Sequence, residues 1–258
     1  MIRLASLGSG SKGNATLVQL GGELLLVDCG FSARQVTQRL EKLELAPGDI
    51  TALLVTHEHS DHMRGVQTLA HRYNIPVYAS HGTLKAMNFS LAATTFDSHG
   101  SFSIGKVTVM PVAVPHDARE PTQFVFGCDG IKIGVLSDLG HITPHVISAY
   151  RDCDLLMMES NHDVDMLMAG RYPPSLKRRV GGVHGHLSNR QAAELLEAVG
   201  HANLRVVIGH VSEQNNALPL IEEALGSYRA KLRSLEIASQ SDGVSWQSFD
   251  ELTPSPLV

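Results

Sequence analysis

Apolar positions change their spacing along the chain, and the changes mark out the elements. Residues 2–7, 15–20 and 23–28 read as short strands. The loop Gly8-Ser9-Gly10-Ser11-Lys12-Gly13-Asn14 separates the first two, and Gly21-Gly22 makes a two-residue hairpin turn between the last two. Ser32 and Gln35 form a capping box, and Val36, Leu40 and Leu43 recur behind it at helical spacing. Beyond Pro47-Gly48-Asp49, residues 51–56 read as a strand, Val66, Leu69 and Tyr73 as one helix face, and residues 75–79 as a short edge-like strand. The first third thus alternates strand and helix after an opening antiparallel meander.

The middle of the chain is richer in strands, at 101–104, 106–114, 122–128 and 131–136, the last pair joined by the hairpin signal Asp129-Gly130. Thr143-Pro144 is an N-cap followed by proline at the first helical position. Residues 155–158 form a buried strand run. Ser188 and Gln191 make a second capping box, leading a helix with Ala192, Leu195, Leu196 and Val199 inward. Residues 204–209 read as a last parallel-type strand, 219–232 as a helix, and 235–238 with 244–249 as a terminal hairpin turning at Asp242-Gly243; the tail at 253–258 reads as frayed. No composition break cuts the chain, so residues 1–258 read as a single layered α/β domain.

Composition narrows the classes. A hydrophobic content of 43% supports a buried core, while no apolar run approaches the ~18 residues of a membrane helix. The N-terminus opens straight into a strand pattern without a signal-peptide profile. Cys29, Cys128 and Cys153 are widely spaced and make no CxxC, which argues against a disulfide framework and for a reducing cytoplasm. A net charge of −5 excludes a globally basic nucleic-acid binder but leaves room for a local basic patch.

Fourteen histidines change the picture. The apolar run Leu53-Leu54-Val55 ends in Thr56-His57-Glu58-His59-Ser60-Asp61-His62. A core strand has no use for that cluster, whereas a strand handing ligands to the first turn of a helix does. Later strands also end in ionisable residues: His116, Asp138 and His210. His57, His59, Asp61, His62, His116, Asp138 and His210 supply five imidazoles and two carboxylates. That set can hold two divalent metal ions bridged by one carboxylate, and two ions ~3.5–4 Å apart suit phosphate-ester hydrolysis. Mixed imidazole and carboxylate donors admit Zn, Mn or Fe. Asp28, after Leu25-Leu26-Val27, reads either as a hydrogen-bonding support for the ligand loop or as a strand-end turn former. His71, His81, His99, His141, His145 and His201 read as surface or satisfied core residues. The glycine-serine loop does not match a P-loop, since Lys12 is followed by glycine. Lys177-Arg178-Arg179 reads either as a phosphate-contacting patch or as a solvated helix face.

HxHxDH followed by a later histidine, an aspartate and a last histidine at successive strand ends resembles the metallo-β-lactamase superfamily. The resemblance implies a four-layer αββα sandwich with metals at one edge of the facing sheets. It would assign His57, His59 and His116 to one ion, Asp61, His62 and His210 to the other, and Asp138 to the bridge. GSGSKGNAT (8–16), VTHEHSDH (55–62), ESNHD (159–163), YPPSLKRR (172–179), GHLSN (185–189) and GHVSEQNN (209–216) look like the YycJ/WalJ-type metallohydrolases, bacterial 5′-to-3′ DNA exonucleases related to PhnP and RNase Z. In that branch His186 would be the general acid, a task suited to an imidazole titrating near neutrality, with His184 and His162 as competitors. Asp61 would also orient the attacking hydroxide. Ser11, Asn14, Ser188 and Asn189 would bind a terminal phosphate, the last two at a helix N-terminus. Asp138 departs from true β-lactamases, where serine or cysteine is usual, and the C-terminal hairpin is unlike the helical segment of glyoxalase II relatives. The expectation is a dinuclear phosphodiesterase acting as a 5′-to-3′ exonuclease on DNA with a 5′ phosphate. The alternatives are a PhnP-like cyclic phosphodiesterase, an RNA-processing nuclease, a mononuclear iron thiol dioxygenase and a non-enzymatic nucleic-acid-binding module.

Overall fold

The continuous apolar runs at 52–55 and 155–158 explain the architecture. A strand covered on one face alternates apolar with polar, whereas one covered on both faces is apolar throughout. Both runs are wholly buried. The computed structural model describes residues 1–87 and 92–249. The first half contains β1 (Arg3–Gly8), β2 (Ala15–Leu20), β3 (Glu23–Val27), α1 (Ala33–Glu41), β4 (Ala52–Val55), α2 (Ser60–Met63), α3 (Val66–Tyr73), β5 (Val77–Ser80), α4 (His81–Met87) and β6 (Ala93–Phe96). The second contains β7 (Phe102–Ile104), β8 (Val107–Ala113), β9 (Thr122–Cys128), β10 (Ile131–Leu136), α5 (Pro144–Tyr150), β11 (Leu155–Glu159), α6 (Val164–Ala169), α7 (Pro174–Val180), α8 (Asn189–Val199), β12 (Arg205–Gly209), α9 (Leu218–Leu225), β13 (Ser234–Ile237) and β14 (Val244–Ser248).

Among the described residues these strands form two seven-stranded sheets, ordered β14-β1-β2-β3-β4-β5-β6 and β13-β12-β11-β10-β9-β8-β7. Each sheet contains four successive antiparallel strands followed by three parallel neighbours. Three apolar clusters fill the layers. Ala52 and Leu54 of β4 meet Ile133 and Val135 of β10 and Leu155 and Met157 of β11 between the sheets. Leu53 and Val55 face the other way, onto Val36 and Leu40 of α1 and Val66 and Leu69 of α3. Leu156, Met158, Val206 and Ile208 pack onto Val146 and Tyr150 of α5, Leu195 and Leu196 of α8, and Ile221 and Leu225 of α9. The layers are helix, sheet, sheet, helix, the four-layer αββα sandwich. Burying each of these side chains stabilises the fold by roughly 1.5–3 kcal/mol before entropy is counted.

Local signals match the elements they mark. Ser32 and Ser188 close their capping boxes, and Thr143 caps α5 with Pro144 in its first turn. Gly21-Gly22 and Asp129-Gly130 have positive φ at both residues, as a two-residue hairpin turn with matching twist requires. Three expectations are corrected, and one helix appears that no sequence signal marked. β5 is an interior strand, because the unrecognised β6 pairs with it in parallel. α4 was also unmarked. The helix expected over 219–232 ends at Leu225 and tightens into a 3₁₀ turn at Gly226–Tyr228. The terminal hairpin separates: β13 joins β12 in one sheet, β14 joins β1 in the other, and a Ser239–Gly243 bridge lies between them. Asp242-Gly243 specifies a reversal, but strand partners are chosen by the faces that must be covered. The tail at 253–258 lies outside the described residues.

Candidate metal centre

The parallel strands β3, β4, β10, β11 and β12 end along one edge of the sandwich, where their last residues have finished pairing. Asp28, Asp138 and His210 follow β3, β10 and β12 with φ of 63°, 52° and 50°. Left-handed backbone costs energy for any residue but glycine, though Asp and His adopt it more readily than most, and His210 is held there by its surroundings. Its N–H donates to Ser9 Oγ at 2.7 Å, and its carbonyl accepts from Asn161 Nδ2 at 2.8 Å.

The seven expected ligands converge. His57 Nε2 lies 3.0 Å from His59 Nδ1, which lies 3.3 Å from His116 Nε2. His62 Nε2 lies 3.2 Å from Asp138 Oδ2 and 3.5 Å from Asp61 Oδ2. His210 Nε2 lies 3.5 Å from Asp138 Oδ1 and 3.7 Å from Asp61 Oδ2. Two compact groups result, His57/His59/His116 and Asp61/His62/His210, with Asp138 grouped with His57 and His62 between them.

The residues fit a divalent metal on their own evidence. His210 Nε2 is buried with no hydrogen-bond partner among the described residues. Burial, then the neighbouring His62, holds His57 well below the ordinary imidazole range; burial also lowers His116, so both keep free electron pairs. His62 and His210 show the opposite. Burial would lower them, but Asp138 with Asp28 and Asp61 raises His62 well above its usual value, and Asp138 with Asp61 and Glu159 pushes His210 up to about 10. Against burial, His210 and His62 hold Asp138 well below the usual carboxylate range. Protons on two imidazoles therefore neutralise buried carboxylates as a cation would.

Of the candidate ligands, His57, His62 and His116 turn their other nitrogen to a hydrogen-bond partner, as metal-ligating histidines do. His62 Nδ1 lies 2.7 Å from Asp28 Oδ2, and Asp28 also accepts from Thr56 N and Oγ1, each at 2.8 Å. Thr56 Oγ1 lies 2.9 Å from His57 Nδ1. His116 Nδ1 donates to Gly185 O at 3.0 Å, and His59 Nε2 lies 3.8 Å from Asp117 Oδ1. His210 Nδ1 lies 3.1 Å from Asn161 Nδ2 and 3.6 Å from Glu159 Oε2. Asp28 thus both turns the chain after β3 and hydrogen-bonds the candidate ligand His62.

A family model described as the beta-lactamase superfamily domain matches residues 24–211. The chain belongs to that superfamily. The exodeoxyribonuclease YycJ of Bacillus anthracis is 35% identical over 222 residues, 83% of this chain and 84% of its own. The exodeoxyribonuclease WalJ of Streptococcus pneumoniae serotype 2 is 32% identical over 263 residues, 98% of this chain and 96% of its own. The crystal structure of the metallo-beta-lactamase fold protein YhfI from Bacillus subtilis superimposes with a TM-score of 0.73, over 96% of this chain and all of that one, at 13% identity; that likeness is one of fold.

In this β-lactamase superfamily chain the metal centre floors a cleft of about 360 Å³, walled by Ser11, Asn161, Tyr172, Arg179, His186 and Ser212 among others. Of the three histidines weighed as proton donor, His186 alone lines it. His184 is exposed and supplies only its carbonyl, to Asp117 N. His162 is buried, and burial takes it down to about 4. Sequence reasoning missed the residue that positions His186. Glu159 is fully buried at the end of β11; Oε2 lies 3.2 Å from His186 Nδ1, while Oε1 accepts from Leu139 N at 3.0 Å and Leu187 N at 2.9 Å. Burial would raise Glu159, but His186 and His210 bring it down to about 2. Its available signal was a carboxylate ending a buried apolar run, the same signal that marked Asp138.

Substrate-facing expectations divide. Ser11 and Arg179 line the cleft, and Arg179 Nε is paired with Asp117 Oδ2. Lys177 Nζ folds back onto Met168 O, and Arg178 stands exposed outside the cleft wall. Asn14, Ser188 and Asn189 are corrected, because their side chains are committed elsewhere. Asn14 accepts from Gly10 N at 2.8 Å and turns its amide toward His62; Ser188 caps its own helix; Asn189 is bonded to Ser160 and Asn216 in a buried amide cluster. An N-cap side chain must fold back on its helix, which removes it from a ligand.

Proposed function

We propose that the protein is a dinuclear metal-dependent phosphodiesterase that removes nucleotides from the 5′ end of DNA. The observation that carries this reading is the meeting of the two ligand groups at Asp138, on the floor of a cleft whose wall holds the Glu159–His186 pair. The relatives named exodeoxyribonuclease, matched over most of the chain, supply the substrate class.

His57, His59 and His116 would hold one ion and Asp61, His62 and His210 the other, with Asp138 between. Divalent ions there supply a nucleophile at neutral pH and offset charge on the phosphoryl oxygens. The chain's own groups do the rest. Asp61, part-exposed at the cleft, orients the attacking water. His186, held through Nδ1 by Glu159, presents Nε2 to the leaving oxygen and gives it a proton. Arg179, steadied by Asp117, meets a substrate phosphate with its free N–H groups. No helix among the described residues is long and apolar enough to cross a membrane.

The deciding experiment adds Zn or Mn to metal-free protein and follows 5′- and 3′-labelled single- and double-stranded DNA and RNA. Release of labelled mononucleotide first from 5′-labelled DNA is expected. Degradation of RNA alone, or turnover only of small cyclic diesters, would replace the DNA reading. One ion per chain by elemental analysis would remove the dinuclear assignment.

A further inference from the structure

None of the side chains of α7 is buried, although Arg179 and Val180 line the cleft above the candidate metal centre. Its C-terminal half is nevertheless pinned. His186 N donates to Val180 O at 2.9 Å, Lys177 reaches Met168 O, and Arg179 pairs with Asp117. A helix that adds nothing to the core but is held against the cleft has its surface free for a ligand.

Two of the cleft-lining residues it carries or adjoins are chemically distinct from the rest. Tyr172, just before Pro173 caps α7, is the one Phe, Tyr or Trp among the described lining residues, and Arg179, in the last turn, is the one Lys or Arg. Tyr172 precedes the helix, Arg179 lies in its last turn, and both line the same cleft. A half-buried phenol ring just ahead of the helix and a guanidinium in its last turn suit the face of a base and a neighbouring phosphate.

We propose that Tyr172 is a stacking platform for the nucleobase flanking the scissile phosphodiester, so that α7 grips one nucleotide by its base at Tyr172 and by a phosphate at Arg179. This rests on the nuclease reading above. Stacking on an aromatic face tolerates any base, so the platform tightens binding and fixes register without imposing sequence preference.

The test uses metal-loaded protein and DNA whose first or second nucleotide from the 5′ end lacks its base, comparing kcat/KM with intact DNA inside each variant. Wild type is expected to lose about tenfold at one of the two positions, the usual worth of one stacked base. Tyr172→Phe keeps that penalty, because the ring remains. Tyr172→Leu shows no further loss when the base is removed. An equal penalty in wild type and Tyr172→Leu, or none in wild type, overturns the platform. If Tyr172→Leu does not fold, judged by urea unfolding, 2-aminopurine at the sensitive position decides with metal-free wild type. Its emission falls on binding if the base stacks, and unchanged emission overturns the proposal. Should wild type degrade no DNA at all, the nuclease reading itself fails; DNA degradation without a base penalty sinks only the platform.

Discussion

Replacing Glu159 separates two jobs that one buried carboxylate performs. Oε1 satisfies the backbone N–H groups of Leu139 and Leu187, two residues with no exposure, while Oε2 faces Nδ1 of His186 and of His210. Glu159→Ala leaves both backbone donors buried without partners. At about 1–3 kcal/mol each, the expected loss of stability is about 2–6 kcal/mol. Glu159→Gln keeps an oxygen for those donors, so its stability should change by less than about 1.5 kcal/mol. It presents an NH₂ to the imidazoles, however, where a carboxylate accepted from them. One charge-assisted hydrogen bond is worth about 1.5–3 kcal/mol, so kcat should fall roughly 10- to 150-fold. Metal affinity should weaken about 10- to 100-fold through His210, as for other outer partners of a ligand. Urea unfolding, chelator competition and single-turnover cleavage on the same preparations measure the three effects. Equal destabilisation by Gln and Ala, or full kcat in Glu159→Gln, would refute this division of labour.

His186→Ala should retain metal by elemental analysis yet slow esters with poor leaving groups more than those with good ones; loss of metal would make His186 a ligand instead. Metal content should invert the pH dependence of stability. In chelated protein His210 sits at about 10, above its unfolded value of ~6.5, so its contribution is complete below pH ~6.5 and is lost as pH rises through 10. In loaded protein the native imidazole is unprotonated and the unfolded one takes up a proton, so stability rises with pH through ~6.5 and then levels. Urea midpoints at pH 6, 7.5 and 9 should therefore diverge, and parallel curves would contradict the assignment. Gly30→Ala would place a Cβ 1.7 Å from Asp61 O, where the loops of Asn14 and Asp61 are clamped together. A loss of about 1–3 kcal/mol or more with weakened metal binding is expected, and an unchanged urea midpoint would show that the clamp yields.

The candidate ligand set was legible because its members cluster just beyond the ends of apolar strand runs, a contrast visible within a few residues. Caps and two-residue turns were legible for the same reason: the interacting groups lie within four residues of one another. What required the tertiary structure were choices between distant partners. Glu159 reads only as a charge ending β11 until β10 and the chain at Leu187 close around it. Lys177, Arg178 and Arg179 are equivalent as a basic run, and only the placement of α7 beside Asp117 sends Arg179 into the cleft. Asn14 and Asn189 have the chemistry to meet a phosphate, but burial next to other polar groups commits them inward. The hairpin turn near Asp242 is local, whereas the division of its strands between two sheets follows from which edges β1 and β12 leave to be paired. Residue chemistry and short-range spacing determine what this chain can do at each strand end. Long-range packing, which must cover every apolar face and pair every buried polar group, decides which side chains meet.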